Sequence, residues 1–312
     1  MPFFRSRWFK DVSKMFITCI ATFFLIITIN FTKESTKPIR YAGSYPYMIF
    51  LIPSRLEDFQ RRQQVRLTWL DLACWEASGE LNVTGPGHMQ FKAMFILGNI
   101  SAAEEDPNLS NQLDTEIGEY EDVYVNTLIP EGRGIRDKVL WGLQESINTY
   151  NYSYLVKVDQ DTVVDLPNLL QEPLPLEQVY TGNCLKKPKV GDFTDFKYCL
   201  GGGYVMSRDV VEGVVREGRE VMGQSEDVQI GWNNDEDAWV GYLVNRMGLQ
   251  PQHSPRALLN FQGFEMYNFN FWFYHWLKRP EKLSRLYECR TRAKPDCSSR
   301  KYDMSCNCTN PF

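Results

Sequence analysis

Residues 154–164 read YLVKVDQDTVV. Tyr154 to Val158 is a short apolar run interrupted by Lys157 alone, the pattern of a strand buried on both faces of a parallel sheet. It runs directly into Asp159-Gln160-Asp161, so two carboxylates with matching side-chain direction stand where such a sheet opens to solvent. Paired hard oxygen donors select Mg²⁺ or Mn²⁺, and a divalent ion held there could bridge a diphosphate and absorb its charge as it leaves. An isolated Asp-x-Asp is also a common solvated turn, and only the surrounding chain separates the two readings. A calcium EF-hand is excluded: counting from Asp159, position six is Val164 rather than Gly and position twelve is Leu170 rather than Glu.

Moving outward, Tyr47 to Ile52 (YMIFLI), Phe91 to Leu97 (FKAMFIL) and Asp122 to Ile129 (DVYVNTLI) read as further strands. Val65, Trp69 and Leu72 recur at helical spacing between the first two, and Val139, Leu143 and Ile147 do so before Tyr154. This rhythm predicts an α/β domain: a Rossmann-like, mostly parallel sheet flanked by helices, with ligands outside the carboxyl ends of its strands. After residue 175 the pattern loosens into loops and Gly-rich turns, then tightens into a helix over 236–247.

That helix follows Asn233-Asn234-Asp235-Glu236-Asp237 and carries an apolar stripe of Val240, Leu243, Val244 and Met247. Asp237 falls in its first turn, where amide ends and the helix dipole keep a carboxylate ionised, as a proton acceptor must be. Gly241 one turn later leaves the surface beside Asp237 bare, and Trp239 is placed to stack on a sugar ring. Plain helix capping explains one or two of these acids equally well. His275, within FNFWFYHW, is either the imidazole that completes a metal shell or a packed core residue. Arg62 and Arg66 share a helix face and could meet a phosphate, although Asp58 offers Arg62 an ordinary surface pair. Lys138 has the same two readings, and His88 and His253 sit in loops with less signal.

Compartment is read from the first 45 residues. Residues 1–14 form a tail with Arg5, Arg7, Lys10 and Lys14 against one acid, Asp11. Residues 15–31 (MFITCIATFFLIITINF) carry no formal charge and would span about 25 Å as a helix, enough for a thin early-secretory membrane. The flanking charge predicts a signal-anchor with a cytoplasmic amino terminus; a cleaved signal peptide is disfavoured because no small-x-small site follows. Residues 32–45 then form a short stem, and 46–312 the lumenal domain. Asn82, Asn99, Asn108, Asn151 and Asn307 each head an Asn-x-Ser/Thr acceptor pattern, in agreement with that topology.

The 312 residues hold 34 basic and 39 acidic side chains, a net charge of -5, so no general field favours nucleic acid, which is not expected as a partner. A hydrophobic fraction of 43% excludes disorder as the main state. Of eight cysteines, Cys19 lies in the apolar run and seven lie beyond it: Cys74, Cys184, Cys199, Cys289, Cys297, Cys306 and Cys308. An oxidising lumen favours disulfides over a zinc cluster in the tail, and the odd number leaves one of the seven without an intramolecular mate.

The ordered set RRQQVRLTW (61–69), YLVKVDQDTVV (154–164), YCLGGGYVMS (198–207) and EDAWVGYLVNRMGL (236–249) resembles the β1,3-galactosyltransferase and β1,3-N-acetylglucosaminyltransferase family from about Arg61 to Cys289. The resemblance implies a GT-A-like fold behind one N-terminal transmembrane helix, a Golgi single-pass type II placement, a UDP-sugar donor, Mn²⁺, a glycan acceptor on glycoprotein or glycolipid, and inversion at the anomeric carbon. Carried over by residue, it implies Asp237 as the base, Asp161 and His275 as metal ligands, and Asp159, Arg62, Arg66 and Lys138 at the donor. Gly202, Gly203, Glu236 and Trp239 are expected at the acceptor. Gln160 stands where the family usually has a middle Asp, and EGRGIRDKVL around Lys138 departs from the family pattern. Those departures motivate the alternative of a catalytically inactive lumenal sugar-binding or chaperone-like protein of the same fold.

Overall fold

The computed structural model describes residues 48–71, 91–99, 106–129, 134–187, 196–222, 235–260 and 271–275. These lie within the compact unit Ser44–Phe312. The expected tail, anchor and stem, along with Leu72, Cys74 and the four carboxyl-terminal cysteines, lie outside the described residues. Among the described residues no helix is long and apolar enough to cross a membrane.

The strands are β1 (Met48–Pro53), β2 (Phe91–Leu97), β3 (Val123–Val125), β4 (Tyr154–Val158), β5 (Val163–Val164), β6 (Tyr180–Lys187), β7 (Phe196–Ser207), β8 (Gln252–His253), β9 (Leu258–Asn260) and β10 (Phe273–His275). The helices are α1 (Phe59–Arg66), α2 (Pro107–Tyr120), α3 (Ile135–Thr149), α4 (Leu166–Leu170), α5 (Arg208–Met222) and α6 (Glu236–Arg246). Seven strands form one sheet in the order β3-β2-β1-β4-β7-β6-β8. Pairings from β3 through β4 are parallel, β7 runs antiparallel to both β4 and β6, and β8 is parallel to β6. The sheet is therefore mostly parallel, with an antiparallel insertion at β7.

Alternation along β1 shows why the central strands read as continuous apolar runs. Met48, Phe50 and Ile52 enter one core cluster and Ile49 and Leu51 the other, so both faces are covered. On one face Val139 and Leu143 of α3, the valines of α5 and Leu243 of α6 complete the core. On the other, Val65 of α1 and Leu113 of α2 are joined by residues of a three-stranded sheet, β5-β10-β9. Helices alone do not cover that face: β10 lies antiparallel to β5 and parallel to β9.

Several expected boundaries shift. The third strand is confined to Val123–Val125. Helix α1 ends at Arg66, so Trp69 follows it as a fully buried anchor packed edge-on against Phe50 at 5.2 Å. The stretch after residue 175 is far more regular than its sequence suggests, since it holds β6, the long β7 and α5. Cys184 and Cys199 face each other across the β6–β7 ladder and form a disulfide, which settles two of the seven cysteines.

Candidate active site

β1 and β4 are parallel neighbours with Leu51 opposite Lys157. Continuing that register brings Ser54 abreast of Gln160, so the Asp159-Gln160-Asp161 turn sits at the carboxyl edge of two adjacent parallel strands, the expected location for a ligand. The turn is closed by the Thr162 N–H donating to the Asp159 carbonyl at 3.0 Å. Thr162 Oγ1 then donates to the Gly202 carbonyl at 2.8 Å, tying the turn to β7. The chain next enters β5, whose partner is β10, and β10 ends at His275. Strand pairing thus delivers the imidazole to the aspartates from more than a hundred residues away in sequence.

His275 Nε2 lies 3.2 Å from Asp159 Oδ2 and 3.3 Å from Asp161 Oδ1. One ligating atom from each of the three residues falls within 4.8 Å of the others. Their side chains are 30%, 14% and 13% exposed for Asp159, Asp161 and His275, so the cluster is reachable from solvent. Two carboxylates and an imidazole suit a divalent ion such as Mn²⁺, so the donor set fits the expected metal. Burial alone would favour neutral His275, but the hydrogen bonds and charges of Asp159 and Asp161 outweigh it and raise its pKa to about 9. A metal binding here displaces that proton.

Close approach of β10 to β7 depends on glycine. A Cβ on Gly202 would stand 2.6 Å from His275 Cγ, and one on Gly203 would stand 2.3 Å from Phe273 Cδ2. Both glycines, expected at the acceptor, are buried beneath β10 instead. They seat the histidine.

Lys157, a strand residue by its sequence pattern, is the cation around which the site is assembled. Its Nζ reaches Asp159 Oδ1 at 2.9 Å, Glu236 Oε2 at 2.8 Å and the Gly201 carbonyl at 2.9 Å. Burial works against the ammonium, but the charges of Asp159 and Glu236 outweigh it and hold the amine firmly protonated. Burial would likewise raise the Asp159 pKa, but Lys157 and His275 pull it down to about 2. Glu236 is lifted by burial, with Lys157 opposing. Glu236 also accepts from Tyr204 Oη at 2.7 Å. It is buried against Lys157 and not presented to an acceptor.

Asp237 is the second residue of α6 and meets β7 at Gly201. Its Oδ2 accepts the Gly201 N–H at 2.9 Å and its Oδ1 the Ala238 N–H at 2.8 Å. Consecutive residues of β7 therefore meet Asp237 through Gly201 and underlie His275 at Gly202. Asp159, Asp161, His275 and Asp237 converge on one strand segment.

A family model described as Galactosyltransferase matches residues 60–255, more than half of the chain. The chain belongs to the galactosyltransferase family. Beta-1,3-galactosyltransferase 1 of Mus musculus and of Homo sapiens is 24% identical over 236 residues, covering 69% of this chain and 65% of that protein. UDP-GalNAc:beta-1,3-N-acetylgalactosaminyltransferase 1 of Rattus norvegicus is 26% identical over 223 residues, covering 64% and 60%. The chain thus spans somewhat less than two thirds of the length of these curated relatives. Among solved structures, the galactosyltransferase LgtC in complex with donor and acceptor sugar analogs aligns over 77% of this chain and 95% of that one. Its identity of 10% and TM-score of 0.43 are too low to bear on the assignment.

Four further residues, Arg62, Arg66 and Lys138 expected at the donor and Trp239 expected at the acceptor, are all engaged within the fold. Arg62 is 1% exposed and grips both oxygens of the buried Glu116, at 2.8 and 2.6 Å. Arg66 bonds Asp122 through Nε at 2.8 Å and Nη2 at 2.6 Å, and bonds Glu116 through Nη1 at 2.8 Å. Its guanidinium also packs on the Phe95 and Tyr120 rings. Both arginines are already engaged, Glu116 by the two together and Asp122 by Arg66, so both act as framework in this structure. Lys138 is buried too, its Nζ donating to the Ser54 carbonyl at 2.9 Å at the strand edge. Trp239 is 1% exposed, under the Arg136 guanidinium at 5.3 Å and beside Tyr242. It is a core residue here, because α6 is enclosed by β7, α3 and α5 and has little outward face.

Proposed function

We propose that this protein is an inverting hexosyltransferase that moves galactose or N-acetylglucosamine from a UDP-sugar to a hydroxyl of a glycan on a glycoprotein or glycolipid, forming a β1,3 linkage. The reading rests on one observation: a solvent-accessible Asp159–Asp161–His275 cluster joined through Lys157 and Gly201 to the Asp237 carboxylate. Family membership supports the same class of chemistry. One relative is an N-acetylgalactosaminyltransferase by name, which adds N-acetylgalactosamine to the donors to be tested.

Asp237 takes the proton from the acceptor hydroxyl, and the oxygen forms a bond to C1 of the donor sugar as the bond to UDP breaks on the opposite face. The Gly201 N–H orients the carboxylate for that role. Mn²⁺ held by Asp159, Asp161 and His275 would supply positive charge for the diphosphate. Lys157 keeps Asp159 ionised and ready to ligate. Such an enzyme would reside in the Golgi membrane as a single-pass type II protein, in keeping with the apolar run over 15–31 and with a disulfide at Cys184–Cys199.

Incubating the full chain with Mn²⁺, a mixture of UDP-sugars and a panel of glycan acceptors, and weighing the products by mass spectrometry, tests the proposal. An acceptor heavier by one hexose or N-acetylhexosamine residue is the expected result. Intact acceptors with every donor overturn it.

A further inference from the structure

The middle residue of the Asp159-Gln160-Asp161 turn is held by partners that specify its chemical type. Ser54 Oγ lies 2.9 Å from Gln160 Oε1 and accepts from Arg62 Nη1 at 3.0 Å. Asp58 carboxylate oxygens can only accept, so the Gln160 amide nitrogen faces Asp58 and its carbonyl Oε1 is turned to the Ser54 hydroxyl, nearer to that hydroxyl than the Arg55 carbonyl at 3.3 Å. On its other side Gln160 Nε2 donates to Asp58 Oδ2. Asp58 occupies the N-cap position of α1, yet its side chain caps nothing there and is given over to Gln160. Position 160 is thus offered a donor on one side and a carboxylate on the other. A carboxylamide satisfies both, whereas an ionised Asp or Glu would satisfy Ser54 and repel Asp58. Behind the serine stands the buried Arg62–Glu116 pair, and Lys138 holds the same residue through its carbonyl. The framework arginine and lysine therefore reach the strand-end cluster through Ser54 and Gln160.

We infer that Gln160 is a positioning residue that, paired with Asp58 and Ser54, fixes the turn presenting Asp159 and Asp161 to a divalent cation. The inference rests on the metal-dependent reading above. It opposes the view that Gln160 is a missing acid, and the two views predict opposite signs. If position 160 lacked a useful charge, Gln160→Glu would tighten Mn²⁺. If Gln160 positions the turn, the new carboxylate faces Asp58, the turn shifts and Mn²⁺ weakens.

The experiment is calorimetric titration of the full chain with Mn²⁺ at fixed UDP, with the spin-resonance spectrum of bound Mn²⁺ as a second readout. Wild type is compared with Gln160→Glu, Asp58→Asn, the double variant and Gln160→Met. Gln160→Glu and Gln160→Met should each weaken Mn²⁺ by about tenfold, the usual effect of losing a group that orients a ligand. Asp58→Asn keeps an acceptor for Gln160, and in the double variant the new amide can donate to the new carboxylate. The double should return to within about twofold of wild type, a coupling that independent sites do not show. Mn²⁺ binding by Gln160→Glu as tight as wild type or tighter overturns the inference, and so does a double variant as weak as Gln160→Glu. Should Gln160→Glu fail to fold, the uncharged Gln160→Met carries the test, and undiminished affinity there overturns it. Wild type that binds no Mn²⁺ overturns the metal reading itself, which distinguishes that failure from this one.

Discussion

Asp237 Oδ2 accepts the Gly201 N–H at 2.9 Å, and the carbonyl of the same glycine accepts Lys157 Nζ at 2.9 Å, so one β7 residue joins the candidate base to the cation that organises the aspartates. Asn at 237 preserves an oxygen for Gly201 but cannot take a proton. Asp237→Asn should lower transfer by about 10² to 10⁴ while UDP and Mn²⁺ still bind. Initial rates of sugar transfer and a parallel binding titration check this; turnover near the wild-type rate removes Asp237 from the role.

Asp161→Ala and His275→Ala each delete one of three clustered ligating groups. Metal-dependent UDP binding should fall by at least about 100-fold, the upper end of what loss of a supporting group alone costs. Titrating UDP with and without Mn²⁺ measures it. Unchanged curves place the metal elsewhere.

Lys157→Met leaves Glu236 buried beside Asp159 without its counter-charge. Breaking one side of such a pair costs about 3–5 kcal/mol, which denaturant unfolding reads directly. Lys157→Met with Glu236→Gln should recover much of that stability because the orphaned charge is gone. A single variant as stable as wild type would show that the pair carries no such tension.

Gly203→Ala sets a methyl group against the Phe273 ring. Overpacking of this kind costs about 1–3 kcal/mol, and here the displaced strand carries His275. Both the unfolding midpoint and the Mn²⁺ affinity should drop together. A loss of stability with Mn²⁺ affinity intact would mean that β10 moves without its histidine.

The site was readable where its parts sit in local patterns. β2 and β4 match the sequence reading at both ends, and β1 is displaced by one residue, because strands buried on both faces carry unbroken apolar runs. The Asp-x-Asp turn follows from where one such run stops. Helix α5 is not among the expected elements, although Val210, Val211, Val214, Val215 and Val221 mark one face. Its β-branched valines and its glycines Gly213 and Gly218 are weak helix formers, so its spacing was the signal to follow. Trp239 is a core residue and not a surface platform because α6 is buried almost all round, and an enclosed helix has no polar face to mark its outside.

Side-chain periodicity and chain punctuation, both local, are enough to decide that this chain makes an α/β sheet with carboxylates at a strand end. Which groups meet there is not local. Arg62 goes to Glu116, Gln160 to Asp58, Lys157 to Glu236 and His275 to both aspartates, each pair brought together by the packing of elements distant in sequence. A charged side chain's role follows from the counter-charge it finds once water is excluded, and that partner exists only after the sheet has assembled.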